Sequence, residues 1–311
     1  LPTTSTHPRG WMSSQAPRPT CNGEMQMFQF IGRDIRWRAT ATIVVAANFA
    51  TLAVAQETVT GTRGAAELSN EDLAKKLANP VASLISVPFQ LNYDQDIGPE
   101  DDGDRWVLNV QPVVPITINE DWNLISRTIL PLVSQSDLYP GAGSQSGIGD
   151  IVQSVFFSPK EPTAGGWIWG AGPVLLLPTG SDDLLTTDQW AAGPTAVLLK
   201  QQGPWTYGAL ANHLWSFAGG DDRADVDATF LQPFLSYTTP TAWSVALNTE
   251  STYDWEGEQW SVPVNCVVTK VTKVGGQLIS VGGGLRYWAD SPDNGPEGVG
   301  FRVVVTLLFP K

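Results

Sequence analysis

Cysteine is nearly absent from this 311-residue chain: Cys21 and Cys266 are the only two, and His7 and His213 are the only histidines. Two thiols can close at most one disulfide, which excludes a disulfide framework, and past residue 55 Cys266 and His213 alone cannot supply the roughly four ligands of a structural zinc site. Charge is also scarce. Asp, Glu, Lys and Arg make up 16% of the residues, against roughly 25% in soluble domains. The bases number 18 against 31 acids, a formal net charge of −13, which argues against a nucleic-acid partner because phosphate binding needs Lys and Arg. Beyond one stretch at 39–55, no apolar run approaches the ~18 residues of a membrane-spanning helix, so a helical membrane bundle is excluded. The 30 Gly and 23 Pro rule out a coiled coil. The 13 Trp rule out a disordered chain, which is poor in aromatics and rich in charge. What remains is one large β-rich domain, soluble or barrel-forming.

The first 55 residues read as a leader. Residues 1–24 precede Met25 and Met27 and resemble an over-extended start; residues 25–55 have the parts of a secretory signal peptide. Arg33, Arg36 and Arg38 form a positive region, Ala39–Ala55 an apolar one, and Ala53-Val54-Ala55 the small-x-small site that a signal peptidase accepts. A retained membrane anchor is the plainer alternative. Past Ala55 the chain keeps 29 acids and 13 bases, a net of −16, with Cys266 and His213 alone of their kinds. Residues 56–80 form an N-terminal segment with one short helix, and 81–311 form the main domain. The helix is expected over Leu68–Ala78: Ser69 can cap it, Glu71 and Asp72 suit its first turn, Lys75 and Lys76 its end, and Pro80 stops it. Leu68, Leu73 and Leu77 make only a weak stripe, so it is a surface or plug helix.

After Pro80 the pattern changes to period two. Ile85–Tyr93 alternates apolar with small or polar residues, and so do Trp243–Glu250, Gln259–Val268 and Phe301–Phe309. Nine or ten alternating residues exceed the usual strand of about five or six and match the roughly 9–11 that cross a bilayer. Twelve such segments are expected, near 83–94, 105–118, 122–132, 148–158, 166–178, 189–200, 204–216, 226–238, 242–252, 259–269, 277–289 and 298–309. Their connections alternate in character. One set is long and mostly acidic, as in Asp94–Asp104, Gly180–Asp188, Gly219–Asp227, Asp254–Glu258 and Asp290–Glu297, with Ser134–Gly149 long but Gly/Ser-rich. The other set is short, and Lys160, Lys200, Lys270 and Lys273 lie in or beside it. Antiparallel hairpins with long loops at one end and tight turns at the other are the layout of outer-membrane barrels. Tyr93, Trp106, Trp122, Trp167, Trp190, Trp205, Trp215, Tyr237, Trp243, Tyr253, Trp260 and Trp288 fall near strand ends, as in the aromatic girdles at the two membrane interfaces. An aromatic near the end of the last strand, Phe309, is a feature a barrel-assembly machine reads, although Pro310-Lys311 follows it.

Several phrases in order carry a resemblance: Leu77-Ala78-Asn79-Pro80-Val81-Ala82-Ser83-Leu84 with Pro88-Phe89, then Arg127-Thr128-Ile129-Leu130-Pro131, Pro140-Gly141-Ala142-Gly143 leading into Gly149-Asp150-Ile151, and Phe156-Phe157-Ser158-Pro159. Over roughly 68–311 the chain resembles bacterial outer-membrane transporter-like proteins of the phenol-degradation meta-pathway superfamily, some of which carry the label neuromedin U. The resemblance implies a β-barrel that passes small hydrophobic or aromatic compounds.

The expectation is therefore an all-β, up-and-down transmembrane barrel of the outer membrane, not an enzyme, acting as a porin-like channel for small solutes. Its partners are outer-membrane lipid, lipopolysaccharide, the assembly machinery and the solute. The polar faces then line the lumen. The candidates are Gln90, Asn92, Asn109, Gln111, Arg127, Gln232, Asn248, Glu250, Asn265, Arg286 and Arg302. In one reading Arg127, Arg286 and Arg302 face Glu250 and set a charge preference; in the other these charges pair and fill a narrow interior. The acidic clusters Asp101-Asp102-Gly103-Asp104 and Gly220-Asp221-Asp222 lack the spacing of a calcium loop and read as solvated, and no cofactor is implied. A lipid hydrolase would need a nucleophile beside His213. A secreted soluble sandwich is the other alternative, and it would pack Val262, Val264, Val303, Val305 and Leu307 inside.

Overall fold

The computed structural model of the protein describes residues 68–220 and 222–310; the leader lies outside the described residues. Twelve antiparallel strands form one closed barrel. They are β1 (Ile85–Ile97), β2 (Gly103–Val110 and Val113–Thr117), β3 (Trp122–Ser136), β4 (Ser144–Ile148 and Ile151–Pro159), β5 (Trp167–Leu177) and β6 (Gln189–Gln202). The second half comprises β7 (Trp205–Gly219), β8 (Asp227–Thr238), β9 (Trp243–Thr249 and Ser251–Asp254), β10 (Gln259–Val274), β11 (Gln277–Asp290) and β12 (Glu297–Phe309). Each strand pairs with its sequence neighbour, and β12 returns to β1 with Ile85 opposite Phe309 and Leu91 opposite Val303. Closure leaves no edge, so the backbone groups of every strand have a ladder on both sides.

The breaks have local causes. In β2, Pro112 has no N–H to give; the ladder is bridged there by Gln111 N–H donating to Pro88 O and Thr128 N–H to Pro112 O. In β9 the break falls at Glu250, whose N–H bonds Pro263 O. The two-residue turn Gly275-Gly276 between β10 and β11 has φ +55° and +89°, the left-handed pair that such a hairpin takes and that glycine adopts without strain.

Alternation sorts the wall into two faces. On β12, Arg302, Thr306 and Leu308 are buried inside, while Phe301, Val303 and Phe309 are exposed outside at 37%, 42% and 41%. The hydrophobic stripes thus face outward and do not pack against a second sheet, which removes the soluble-sandwich alternative. Leu132, Leu175, Leu198, Leu247, Val268 and Leu285 extend the apolar band round the barrel. Where polar side chains share that outer face they satisfy one another: Thr128 donates to Gln153, and Gln153 to Ser126. Aromatic rings flank the band. At the short-turn end Trp122 meets Trp169, Trp167 meets Tyr207 and Trp205 meets Tyr237, with Lys200 over Trp167 and Lys270 over Trp243. At the long-loop end Trp106 packs on Tyr93 and Phe301, and Tyr253 on Trp260. Trp288 corrects the expected girdle: its indole N–H points inward to Asp94 and its ring stacks on Arg286.

The helix α1 spans Asn70–Leu77, capped by Ser69, whose hydroxyl accepts from Asp72 N–H, while Asp72 accepts in return from the Ser69 N–H and hydroxyl. Of the two roles expected for it, the structure assigns the plug. Leu73 and Ala74 pack on Ala242, Val271 and Leu308 of one inner wall. Val81, just after the helix, packs on Ile125, Phe156, Val197 and Leu199 of another. Gln201 holds the Lys75 carbonyl and Asn123 holds Ser83. The segment therefore crosses the short-turn mouth of the barrel.

Candidate functional site

The interior is organised around a transverse ionic layer. Glu250 projects from the break in β9, and both its oxygens are taken: Oε1 accepts from Arg302 Nη1 at 2.9 Å, and Oε2 from Arg302 Nη2 at 2.7 Å and Arg286 Nη1 at 3.1 Å. Fork-on-carboxylate geometry of this kind is among the strongest hydrogen bonding available to side chains. Arg286 Nε donates to Asp94 Oδ1 at 2.9 Å, and the Trp288 indole donates to the same oxygen at 2.9 Å. Arg302 Nε donates to Asn92 at 2.7 Å, while Asn265, 0% exposed, links Arg286 to Asn248. The layer joins β1 and β9 to β12 and lies toward the long-loop end.

Two guanidinium groups are left underpaired. Arg105 on β2 reaches Asp94 only at 3.9 Å, and its Nε has no hydrogen-bond partner. Arg127 on β3 donates from Nη2 to Gln111 Oε1 at 3.0 Å and, among the described residues, forms no ion pair. Arg105, Arg127, Arg286 and Arg302 against Asp94 and Glu250 leave an excess of two positive charges. A chain that is strongly acidic overall is thus basic at its centre.

Below the layer, between it and α1, lies a cavity of about 300 Å³. Gln90, Gln111, Arg127, Gln232 and Asn248 line it together with Phe234. The expected lumen residues therefore divide. Asn92, Glu250, Asn265, Arg286 and Arg302 build the ionic layer, joined from below by Asn248; Gln90, Gln111, Arg127 and Gln232 face the chamber; Asn109 lies on the inner face in register with Gln90. Of the three arginines expected to face Glu250, Arg286 and Arg302 bond it and Arg127 does not. Sequence reasoning placed Asp94 in an acidic loop and missed Arg105. Asp94 continues the inward set Gln90, Asn92 by the same period of two and is 2% exposed.

Outside the barrel, His213 has partners that the sequence did not reveal. Its Nδ1 lies 2.7 Å from Thr229 Oγ1, its Nε2 lies 2.9 Å from Asp227 Oδ1 outside hydrogen-bond geometry, and the Trp215 ring packs against it at a 44° tilt. These are the residue types of a nucleophile, base and orienting acid, but the hydroxyl already accepts from the Trp255 indole. Thr229 also sits in register with both His213 and Tyr253, so the strand amides that could stabilise an oxyanion are committed to ladders. The cluster reads as a polar brace at the rim.

No protein-family model matches the chain, and no curated protein matches it. Solved structures do. An outer membrane channel from Pseudomonas putida F1 superposes with a TM-score of 0.59 at 17% identity, covering 74% of this chain and 96% of that one. The outer membrane phospholipase of Salmonella typhi, a dimer with bound calcium, gives 0.45 at 10% identity, covering 76% and 98%. The β domain of the Bordetella autotransporter BrkA gives 0.40 at 13%, covering 73% and 100%. Only the first likeness is close enough to bear on the argument, and it shows a shared barrel fold.

Proposed function

We propose that the chain is an outer-membrane channel for the passive passage of small solutes, of the type found in the phenol-degradation meta-pathway superfamily. Residues 25–55 direct export, the barrel-assembly machinery inserts the folded wall, and the acidic loops face out among lipopolysaccharide. Solute descends from the loop end past the ionic layer into the chamber and leaves by the mouth that α1 occupies. One observation carries this reading: an apolar outer wall encloses a polar lumen that keeps unneutralised guanidinium groups above a cavity. Those groups favour anionic over cationic solutes, and the Phe234 side of the chamber suits an apolar body.

Planar-bilayer recording tests it. Ohmic current with a permeability ratio favouring anions, lowered by Arg286→Ala, is the expected result. Removal of residues 68–82 enlarges the current if α1 is the plug. No current at any voltage, with α1 present or removed, would favour a route through the wall instead and overturn the axial path.

A further inference from the structure

The ionic layer and the chamber beneath it differ in one respect: the arginines of the layer, Arg286 and Arg302, are ion-paired, whereas the chamber holds a guanidinium, Arg127, that forms no ion pair among the described residues. Arg127 carries five N–H donors, and among the described residues a single one, to Gln111, is engaged within the protein. Glu250 attracts it only through space, because its hydrogen bonds and ion pairs go to Arg302 and Arg286. A guanidinium removed from bulk water without an anion is costly. The chamber is about 300 Å³, at the lower end of the range for small-molecule sites. Its wall pairs the guanidinium with apolar surface from Val113 and Phe234, and with Gln111, Gln232 and Asn248 as further polar contacts. α1 closes it below.

We infer that this chamber is a binding site for a small amphipathic monocarboxylate, its head forked on Arg127 and its aromatic or aliphatic body against Val113 and Phe234. The proposal rests on the channel reading and makes it specific: the lumen holds its solute at a defined station midway. Bidentate pairing with a planar carboxylate is the interaction that Arg, unlike Lys, provides. Gln111 fixes the guanidinium plane from the side. The chamber is too small for a long acyl chain, which selects short bodies.

The test is equilibrium binding to the purified full chain in detergent, using benzoate and octanoate as probes, with benzyl alcohol and octanol as neutral counterparts and benzylamine as the cation. Both carboxylates should saturate the protein at one site, at least tenfold tighter than the neutral analogues, and the amine should not bind. Arg127→Met should weaken carboxylate binding tenfold or more and leave the alcohols unchanged; Arg127→Lys should recover part of it, and folding of each variant is checked by heat-modifiable gel mobility. Binding of carboxylates and alcohols with equal strength, or carboxylate binding unaffected by Arg127→Met, overturns the anion anchor. Bilayer conductance of the same preparations separates this from the channel reading. Current without carboxylate binding sinks the site alone, whereas binding without current sinks the channel and leaves the site.

Discussion

Replacing Glu250 by Gln removes the one carboxylate that two buried arginines share. Arg302 is 2% exposed and Arg286 8%, and neither can move to water without leaving its strand. The amide keeps the shape and some of the hydrogen bonding but not the charge, so three short contacts lose their ionic part. Breaking a buried pair from one side costs about 3–5 kcal/mol. The Glu250 side chain is 21% exposed, which places the expected loss near the lower bound, at about 3 kcal/mol. Urea unfolding in lipid vesicles, followed by tryptophan fluorescence, reads this directly. Arg302→Gln in the same background should return part of the loss, because it removes a charge the first change orphaned. The excess positive charge at the centre rises from two to three, so reversal potentials in a salt gradient should shift further toward anion selectivity. A loss below about 1 kcal/mol is the size of an exposed pair; it would mean that water screens the layer and would refute the account of it as a largely buried, ion-paired bar.

Other perturbations reach other parts of the argument. Val303→Arg, on the outer face at mid-wall, should cost about 2–4 kcal/mol in lipid, measured by the same unfolding assay. Ser69→Ala should loosen the plug by about 1 kcal/mol of helix capping, seen as more frequent opening in single-channel records. The Ser69 hydroxyl bond, with Lys75 and Lys76 adding to it against the opposing cost of burial, holds the Asp72 carboxyl below its ordinary value. Its contribution to the plug is therefore complete above about pH 4 and fades as pH falls through the lowered value. Opening should rise on acidification below pH 4, and Asp72→Asn should abolish that rise. His213→Ala should cost about 1 kcal/mol for the lost hydrogen bond to Thr229 without changing conductance, and ester hydrolysis by vesicles carrying the protein, if found and abolished by this change, would contradict the brace reading.

Much of the barrel was legible because a strand between lipid and lumen writes its two faces into alternate residues, and the ends into aromatics. The loop asymmetry and the capped helix were readable for the same local reasons. Strand ends were less so. β3 runs on to Ser136 and β10 to Val274, since barrel strands extend past the membrane where no hydrophobic signal marks them. Asp94 was lost in an acidic run although it continues an inward face. The contacts that define the site were invisible for a different reason. Arg286 meets Asp94 across 192 residues, and His213 meets Thr229 across 16, through register alone. Pairing register follows from turns and bulges, such as the one at Ala289, where β11 carries one residue more than β10 between the Val262–Asp290 and Pro263–Trp288 pairs. Composition carries no trace of that.

The central claim is that hydrocarbon touches one face of every strand. Spin labels placed singly at positions 301–309 of β12 in reconstituted vesicles, with collision rates measured against oxygen and a polar nickel chelate, address it directly. The account predicts high oxygen and low nickel access at 301, 303, 305, 307 and 309, with both low at 302, 306 and 308. Nickel access at the odd positions, or no period of two, would show that the face is wet or buried against protein, and the barrel would not span a membrane as described.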